Sequence, residues 1–169
     1  IYFSSIAENA LEFHDELADW LDENPEVKLA FQPGTFQMKA GAERLSRIYQ
    51  HSNILVLNKE EATLVGGGDI NNIHDQFDKL HALGPEDMTV CITDGPSGAY
   101  ASGQGKRLFM PIYPDPAPPY ERTGAGDAFA STFTAAIMRG KSLEEALAWG
   151  PVNSMNVVQH PGAQEGLMT

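Results

Sequence analysis

The segment "ERTGAGDAFA" (121–130) places two glycines and a carboxylate at the start of an apolar, helix-like run. Gly124 and Gly126 allow backbone conformations closed to other residues, so that consecutive N–H groups can converge on one point. The N-terminus of the helix that follows adds partial positive charge there. Asp127 could then take a proton from a hydroxyl group attacking a bound phosphoryl group. Alternatively, Asp127 only stabilises the positive end of the helix. The spacing does not decide between these two roles.

Apolar strands and amphipathic helices alternate through the first hundred residues. Short or wholly apolar runs predict the strands, and apolar residues at helical spacing predict the helices. Pro25 closes the first helix. Strands are predicted at 27–31, 53–57 and 88–93, and helices at about 10–24, at 39–50, after residue 58 and at 71–83. Strand 53–57 is almost wholly apolar, as in a sheet covered on both faces. The alternation therefore favours an α/β fold with a mostly parallel sheet and helices on both faces.

The second half of the chain has a different pattern. "GAYAS" and "KRLFMPI" are joined by "GQG", which predicts a β-hairpin near residues 98–112. Five prolines between 111 and 119 predict an extended connection. Two helices follow, at about 125–139 and 143–159. Ser142 is the predicted N-cap of the second, and Glu145 completes a capping box.

The composition and net charge limit the classes of molecule that the protein could bind. The 169 residues fit a single domain, 1–169, and the formal net charge is -12. Such a surface repels nucleic acid and anionic membranes, so we expect neither as a partner. A phosphate ligand would have to be attracted by backbone amides, helix ends, a metal ion or a few local cations. The single cysteine predicts a protein of the reducing cytoplasm. The histidines do not have the spacing of metal ligands. No apolar run approaches the ~20 residues of a membrane span.

Three segments resemble the ribokinase-like, or PfkB, carbohydrate kinase family. They are "RTGAGDAFASTFTAAIMRG" (122–140), "NKEEA" (58–62) and "TDGPSGAY" (93–100), in the family's order and spacing. The resemblance implies a three-layer α/β/α fold. In the family the N-terminal half supplies the early strands, a lid and most sugar contacts, so we expect that part and the lid to be absent here. A homodimer formed through the absent lid is left open.

The resemblance also implies a role for the glycine turn. Asp127 is similar to the family's catalytic base, which activates the acceptor hydroxyl. Gly124, Ala125 and Gly126 are similar to the anion hole that acts on the γ-phosphoryl group of ATP.

Asn58 and Glu61 resemble a pair that organises Mg²⁺ and its water molecules near the nucleotide phosphates. A short polar pair suits Mg²⁺, which keeps most of its water shell. A turn residue followed by an exposed helix acid is the alternative.

Further residues resemble nucleotide contacts. Thr93, Gly95 and Gly98 match a turn that contacts the nucleotide, although an ordinary strand-to-hairpin turn has the same glycine spacing. The region around 151–156 falls where the family packs adenine. Asn153 and Asn156 share a helix face there, so that one of them could bond the base, and helix-surface asparagines are the alternative.

Glu121 and Thr123 lie where many family members bind a monovalent cation. K⁺ binding is left open because Glu121 replaces a shorter Asp. Arg122 stands where many members have a small or polar residue. It could clamp phosphate oxygens or pair with surface acids, and we favour the second.

These patterns predict ATP-dependent phosphoryl transfer to a hydroxymethyl group of a sugar or nucleoside. Two alternatives are a nucleotide-binding module that catalyses nothing alone and a hydroxymethylpyrimidine-type vitamin kinase. The vitamin kinase ranks low, because the Asn58–Glu61 motif fits the sugar-kinase branch better.

Overall fold

The computed structural model describes residues 1–168. It contains two compact units, Ile1–Ile92 and a second that starts at Thr93. Within the first unit the strands follow the sheet order β1-β2-β3-β4. None of the helices described within residues 1–168 is both long and apolar enough to cross a bilayer. Whether the chain behaves as one domain stays a prediction.

The first unit alternates strands and helices, as the sequence predicts. Its elements are β1 (Tyr2–Phe3), α1 (Glu12–Glu23), β2 (Leu29–Phe31), α2 (Thr35–Ala40), α3 (Ser46–His51), β3 (Ser52–Asn58), α4 (Lys59–Gly66), α5 (Ile73–His81) and β4 (Thr89–Thr93). Strands β1 and β2 are parallel, with Tyr2 opposite Ala30, and β2 and β3 are parallel, with Ala30 opposite Ile54.

The strands of this unit are covered on both faces. All three residues of β2 are buried, and so are the four consecutive residues 54–57 of β3. Because neighbouring strand residues point to opposite faces, consecutive burial requires cover on each side of the sheet. The predicted mostly parallel sheet between helix layers is therefore confirmed.

The single helix predicted over 39–50 is wrong. The structure has two short helices there, α2 ending at Ala40 and α3 beginning at Ser46. Gly41 follows α2 with φ of 91°, outside the helical region. Leu45, Ile48 and Tyr49 stand at helical spacing in the sequence, and all three are buried. The helical spacing of apolar residues therefore continues across the break between the two helices. In the sequence, only Gly41 indicates that break.

His14 is buried in α1, with 1% of its surface exposed. Its Nδ1 lies 3.0 Å from the Leu11 carbonyl oxygen, and its Nε2 lies 3.0 Å from Nε2 of Gln37. The carbonyl can only accept and the amide nitrogen can only donate, so the ring is neutral with its proton on Nδ1. Burial lowers the pKa of His14, partly offset by the bond to Leu11. His14 is therefore a structural residue of the core.

The second unit contains the predicted hairpin and two long helices. Its elements are β5 (Ala99–Gly103), β6 (Lys106–Met110), α6 (Ala125–Met138) and α7 (Leu143–Val158). Strands β5 and β6 are antiparallel, with Gly103 opposite Lys106. Gln104 and Gly105 between them have φ of 52° and 73°, which suits a tight hairpin turn. The proline-rich connection forms no helix or strand over 111–119.

Helices α6 and α7 pack closely against each other. A Cβ placed on Gly150 of α7 would lie 2.7 Å from the ring of Phe129 on α6, so this contact requires glycine. The predicted capping box of α7 is present: Ser142 Oγ accepts from the Glu145 N–H at 3.2 Å, and Glu145 Oε2 accepts from the Ser142 N–H at 3.1 Å. The close packing fixes the start of α6 relative to α7.

Candidate active site

Gly124 shapes the turn that leads into α6. Its φ of 80° is a left-handed conformation that glycine adopts without strain. A Cβ on this residue would lie 2.6 Å from Cβ of Ala163, so the neighbouring segment also excludes a side chain. Gly124 is the N-cap of α6, and a glycine has no side chain with which to cap that end. The first turn of α6 therefore presents main-chain N–H groups without a side-chain acceptor from its N-cap.

Gly126 differs from the prediction that both glycines adopt special conformations. It lies in the helical part of α6, and its φ is not positive. A Cβ on Gly126 would meet no atom within 4 Å. The missing side chain at Gly126 thus leaves open space beside the helix end, whereas Gly124 provides the unusual backbone conformation.

Asp127 lies in the first turn of α6 and is exposed. It follows directly after Ala125 and Gly126, both of which line a cavity. A carboxylate in the first turn is favoured by the partial positive charge of the helix end. Its position is therefore compatible with either interpretation of the sequence, and the catalytic role stays a prediction.

Helix α7 is tied to the glycine turn. The Ser154 hydroxyl donates a 2.9 Å hydrogen bond to the main-chain carbonyl oxygen of Ala125. Ser154 also lines the cavity. This bond joins one wall of the cavity to the residue at the centre of the predicted anion hole.

The turn between β4 and β5 forms another wall. Gly95 and Gly98 have φ of 49° and 111°. A Cβ on Gly98 would lie 2.4 Å from the Met110 carbonyl oxygen, so the hairpin can close only over glycine. The Asp94 N–H donates to the Gly98 carbonyl oxygen at 2.8 Å. Both glycines and Thr93 line the cavity.

The cavity has a volume of about 250 Å³. It brings together five of the predicted site residues: Thr93, Gly95, Gly98, Ala125 and Gly126. Its other lining residues are Pro96, Ile112, Tyr113, Asp115, Arg122, Phe129, Pro151, Ser154, Met155 and Val158. Most of these are apolar, as is usual for a small-molecule site with a few placed polar groups.

The region around 151–156, which the resemblance assigns to adenine packing, does line the cavity, but through Pro151, Ser154 and Met155 instead of the asparagines singled out there. Pro151, Ser154, Met155 and Val158 follow the spacing i, i+3, i+4 and i+7 of a single helix face. That spacing is visible in the sequence. However, a mostly apolar helix face with one serine cannot be distinguished, from sequence alone, from a face that packs in the core. Ile112 and Tyr113 lie in the proline-rich connection, which carries no periodic signal.

Asn153 and Asn156 do not line the cavity. Asn153 is buried, donates to Thr132 Oγ1 at 2.7 Å and accepts from the Met168 N–H at 3.0 Å. Asn156 donates to the Gly166 carbonyl oxygen at 2.7 Å. Both amides thus hold the C-terminal segment in place. The prediction that one of them bonds the base gains no support from this arrangement.

The resemblance implies a K⁺ site at Glu121 and Thr123, and the donor set does not fit one. Glu121 Oε1 accepts a short hydrogen bond from the Gly162 N–H, and Glu121 Oε2 accepts from the Thr123 hydroxyl at 3.3 Å. Both carboxylate oxygens therefore face hydrogen-bond donors. The longer Glu side chain reaches directly across to the main chain of Gly162.

Asn58 and Glu61 form a capping box at the start of α4, in the first unit. Asn58 Oδ1 accepts from the Glu61 N–H, and Glu61 Oε2 accepts from the Asn58 N–H, both at 2.8 Å. Both residues are half-buried. Hard oxygen atoms suit Mg²⁺, and contact through water is compatible with this capping geometry. No cluster of three or more His, Cys, Asp or Glu side chains suited to a metal occurs among residues 1–168.

Together, the cavity residues can hold an elongated ligand with an anionic end. The apolar face of α7 and Tyr113 offer a surface for a flat group, and the start of α6 offers main-chain donors for an anion. Among the described residues, Arg122 is the single basic residue that lines the cavity.

Known proteins resemble this chain in sequence and in fold. The model of the pfkB family of carbohydrate kinases matches residues 1–169. The chain is 27% identical over 141 residues to a nucleoside kinase of Methanocaldococcus jannaschii, covering 83% of this chain and 44% of that protein. It is 29% identical over 119 residues to a ribokinase of Bacillus subtilis, covering 70% of this chain and 37% of that protein. The chain thus spans about half the length, or less, of these relatives.

A solved structure shares the fold. It is a candidate Ribokinase II of E. coli in complex with ATP and Mg²⁺, with a TM-score of 0.81 and 16% identity. The match covers 99% of this chain and 55% of that one. With the family model matched along its whole length, this chain belongs to the PfkB family of carbohydrate kinases.

Proposed function

We propose that the protein is an ATP-dependent kinase that transfers the γ-phosphate to a hydroxymethyl group of a sugar or nucleoside. One observation carries the proposal. A single cavity is lined both by the Thr93–Gly98 turn and by Ala125 and Gly126 at the start of α6, whose N-cap residue, Gly124, has no side chain. Helix N-termini of this kind bind phosphate groups through main-chain N–H donors. A chain with net charge -12 can attract a polyphosphate by this route without a broad basic surface.

The proposed chemistry uses Asp127 as the base. The acceptor oxygen attacks the γ-phosphorus in line, and its proton passes to the Asp127 carboxylate. The bond between the γ-phosphorus and the bridging oxygen breaks, and ADP leaves. N–H groups at the Gly124–Gly126 turn hold the charge of the phosphoryl group in transit, which is the main catalytic requirement of such reactions.

Asn58 and Glu61 are proposed to hold Mg²⁺ through water. When bound, the ion would neutralise phosphate charge. The capping box fixes Glu61 Oε2 on the Asn58 N–H at 2.8 Å, so the orientation of the carboxylate is set before any ion arrives.

The acceptor class follows from the relatives and not from the cavity. The matched proteins include kinases named for nucleosides and for ribose. We therefore propose a sugar or nucleoside as acceptor. We also propose the cytoplasm as the location, because ATP is available there and the single cysteine, Cys91, is a buried free thiol.

Turnover measurements on purified protein test this function. ATP consumption with Mg²⁺ is measured against a panel of sugars and nucleosides for the wild type, Asp127→Asn and the control Asp87→Asn, an exposed acid outside the cavity. We expect Asp127→Asn to lower kcat at least about 100-fold with nucleotide affinity retained, since general bases contribute roughly that much. Unchanged turnover in Asp127→Asn would refute the role of Asp127.

A nucleotide-binding module without activity of its own is the second candidate. It is favoured by one observation: every residue that lines the cavity lies between Thr93 and Val158, so nucleotide binding needs little of the chain. Binding of an ATP analogue together with no ATP consumption on the full panel would support this candidate over the kinase.

A further inference from the structure

Arg122 lines the cavity next to Ala125 and Gly126. The Ala125 N–H donates to the Arg122 carbonyl oxygen at 3.3 Å, so Arg122 belongs to the same turn that starts α6. Its side chain is exposed. A cation is thus placed at the helix end that already carries partial positive charge.

The expected ion pair between Arg122 and a surface acid is not present among residues 1–168. Several other basic residues of the chain are paired, such as Arg44 with Asp15 at 2.6 Å and Lys106 with Glu144 at 2.6 Å. The chain has 23 acidic residues and 11 basic ones, so acidic side chains that could pair with an arginine are abundant. Arg122 nevertheless has no described ion pair or hydrogen bond of its side chain.

Asp115 lines the same cavity, and no salt bridge joins it to Arg122. The two opposite charges therefore do not neutralise each other inside the site. Each is available to a different part of a bound ligand. A planar guanidinium matches phosphate oxygens, because it can donate two parallel hydrogen bonds.

We propose that Arg122 is a phosphate-binding residue, whose guanidinium contacts the polyphosphate of the nucleotide held at the Gly124–Gly126 turn. This inference rests on the proposed function. It adds a side-chain cation to a site that otherwise attracts phosphate through main-chain dipoles. In an acidic protein, such a local cation also counters the repulsion that an approaching polyphosphate meets.

Calorimetric titration of the full 169-residue chain tests the proposal with two probes, a non-hydrolysable ATP analogue with Mg²⁺ and adenosine, which lacks phosphate. We expect Arg122→Gln to weaken binding of the analogue about tenfold or more, as for loss of a charge-assisted contact. Binding of adenosine stays unchanged. Arg122→Lys keeps part of the affinity, because it keeps the charge and loses the fork geometry.

Arg139→Gln is the matched control, since Arg139 is exposed at the opposite end of α6 and does not line the cavity. It leaves both affinities unchanged. If Arg122→Gln binds the analogue as tightly as the wild type, the Arg122 proposal is overturned while the proposed function stands. An equal loss of analogue and adenosine affinity overturns it in favour of a structural role. A wild type that binds neither probe overturns the proposed function, and this inference with it.

Discussion

The Ser154 hydroxyl donates a hydrogen bond of 2.9 Å to the carbonyl oxygen of Ala125. Through this bond, α7 holds the first residue of α6, which lies between Gly124 and Gly126. The position of the turn that we propose to bind phosphate thus depends on a side chain 29 residues further along the chain. The same serine lines the cavity, so one residue both lines the site and holds the turn in place.

Removal of this bond has a measurable cost. We expect Ser154→Ala to lower the free energy of unfolding by about 1 kcal/mol, the usual net value of one hydrogen bond, and to weaken binding of an ATP analogue. Urea denaturation and calorimetry measure the two effects. Ser131→Ala is the control, because Ser131 makes a longer 3.3 Å bond to the Ala128 carbonyl oxygen on the exposed side of α6. Equal effects in both variants would show that the Ser154 bond does not support the turn.

The two glycines of the turn are expected to respond differently to alanine. Gly124→Ala forces φ of 80° on a residue with a side chain and places its Cβ against Ala163, so it loses about 1–3 kcal/mol of stability. Gly126→Ala sits in a helix with open space, so its stability is unchanged or raised by up to about 1 kcal/mol. Its methyl group nevertheless intrudes on the cavity and weakens nucleotide binding. Thermal unfolding that ranks the two variants in the opposite order would contradict this assignment.

The buried His14 makes stability depend on pH. Burial lowers its pKa in the folded state below the ordinary value of about 6.5, so the unfolded chain binds more protons near that pH. The contribution of a neutral His14 is therefore fully present above pH ~6.5 and is lost as the pH falls toward the folded-state pKa. We expect the unfolding free energy to drop between pH 7 and pH 5, and the drop to shrink in His14→Gln. An NMR titration that gives His14 a pKa above 6.5 would contradict the burial argument.

Monovalent cations are expected to have little influence on nucleotide binding. The Glu121 carboxylate already accepts hydrogen bonds from the Gly162 N–H and the Thr123 hydroxyl. It therefore needs no bound cation to hold it in place. Binding of an ATP analogue in KCl and in tetramethylammonium chloride at equal ionic strength measures this. Glu121→Asp shortens the side chain by one methylene, breaks the reach to Gly162 and should make binding K⁺-sensitive. A several-fold gain from K⁺ in the wild type would refute the direct contact.

Much of the fold could be predicted because its signals are local. Consecutive apolar residues in β3, the "GQG" hairpin turn and the Ser142–Glu145 capping box each depend on neighbours in sequence, and each is confirmed. The break between α2 and α3 was missed, because the buried positions Leu45 and Ile48 keep a helical spacing through it.

The site was predictable only in part. The glycines of the two turns could be predicted because glycine is the residue type that adopts the backbone conformations such turns require. The resemblance indicated the region 151–156 of α7, but the side chains of α7 that line the cavity, and Tyr113, could not be singled out, since an apolar helix face or an aromatic residue in a loop has no distinctive sequence pattern. Asn153 and Asn156 were attractive as polar residues, yet their amides bond the C-terminal segment.

The central claim is that main-chain N–H groups at the start of α6 hold the terminal phosphates of a nucleotide. The most direct test is a ¹⁵N-resolved NMR titration of the full chain with a non-hydrolysable ATP analogue and Mg²⁺, with adenosine as the reference ligand. We predict that the amide resonances of Ala125, Gly126 and Asp127 shift and saturate with the analogue, and move much less with adenosine. Saturable binding of the analogue with those three amides unmoved would contradict the claim.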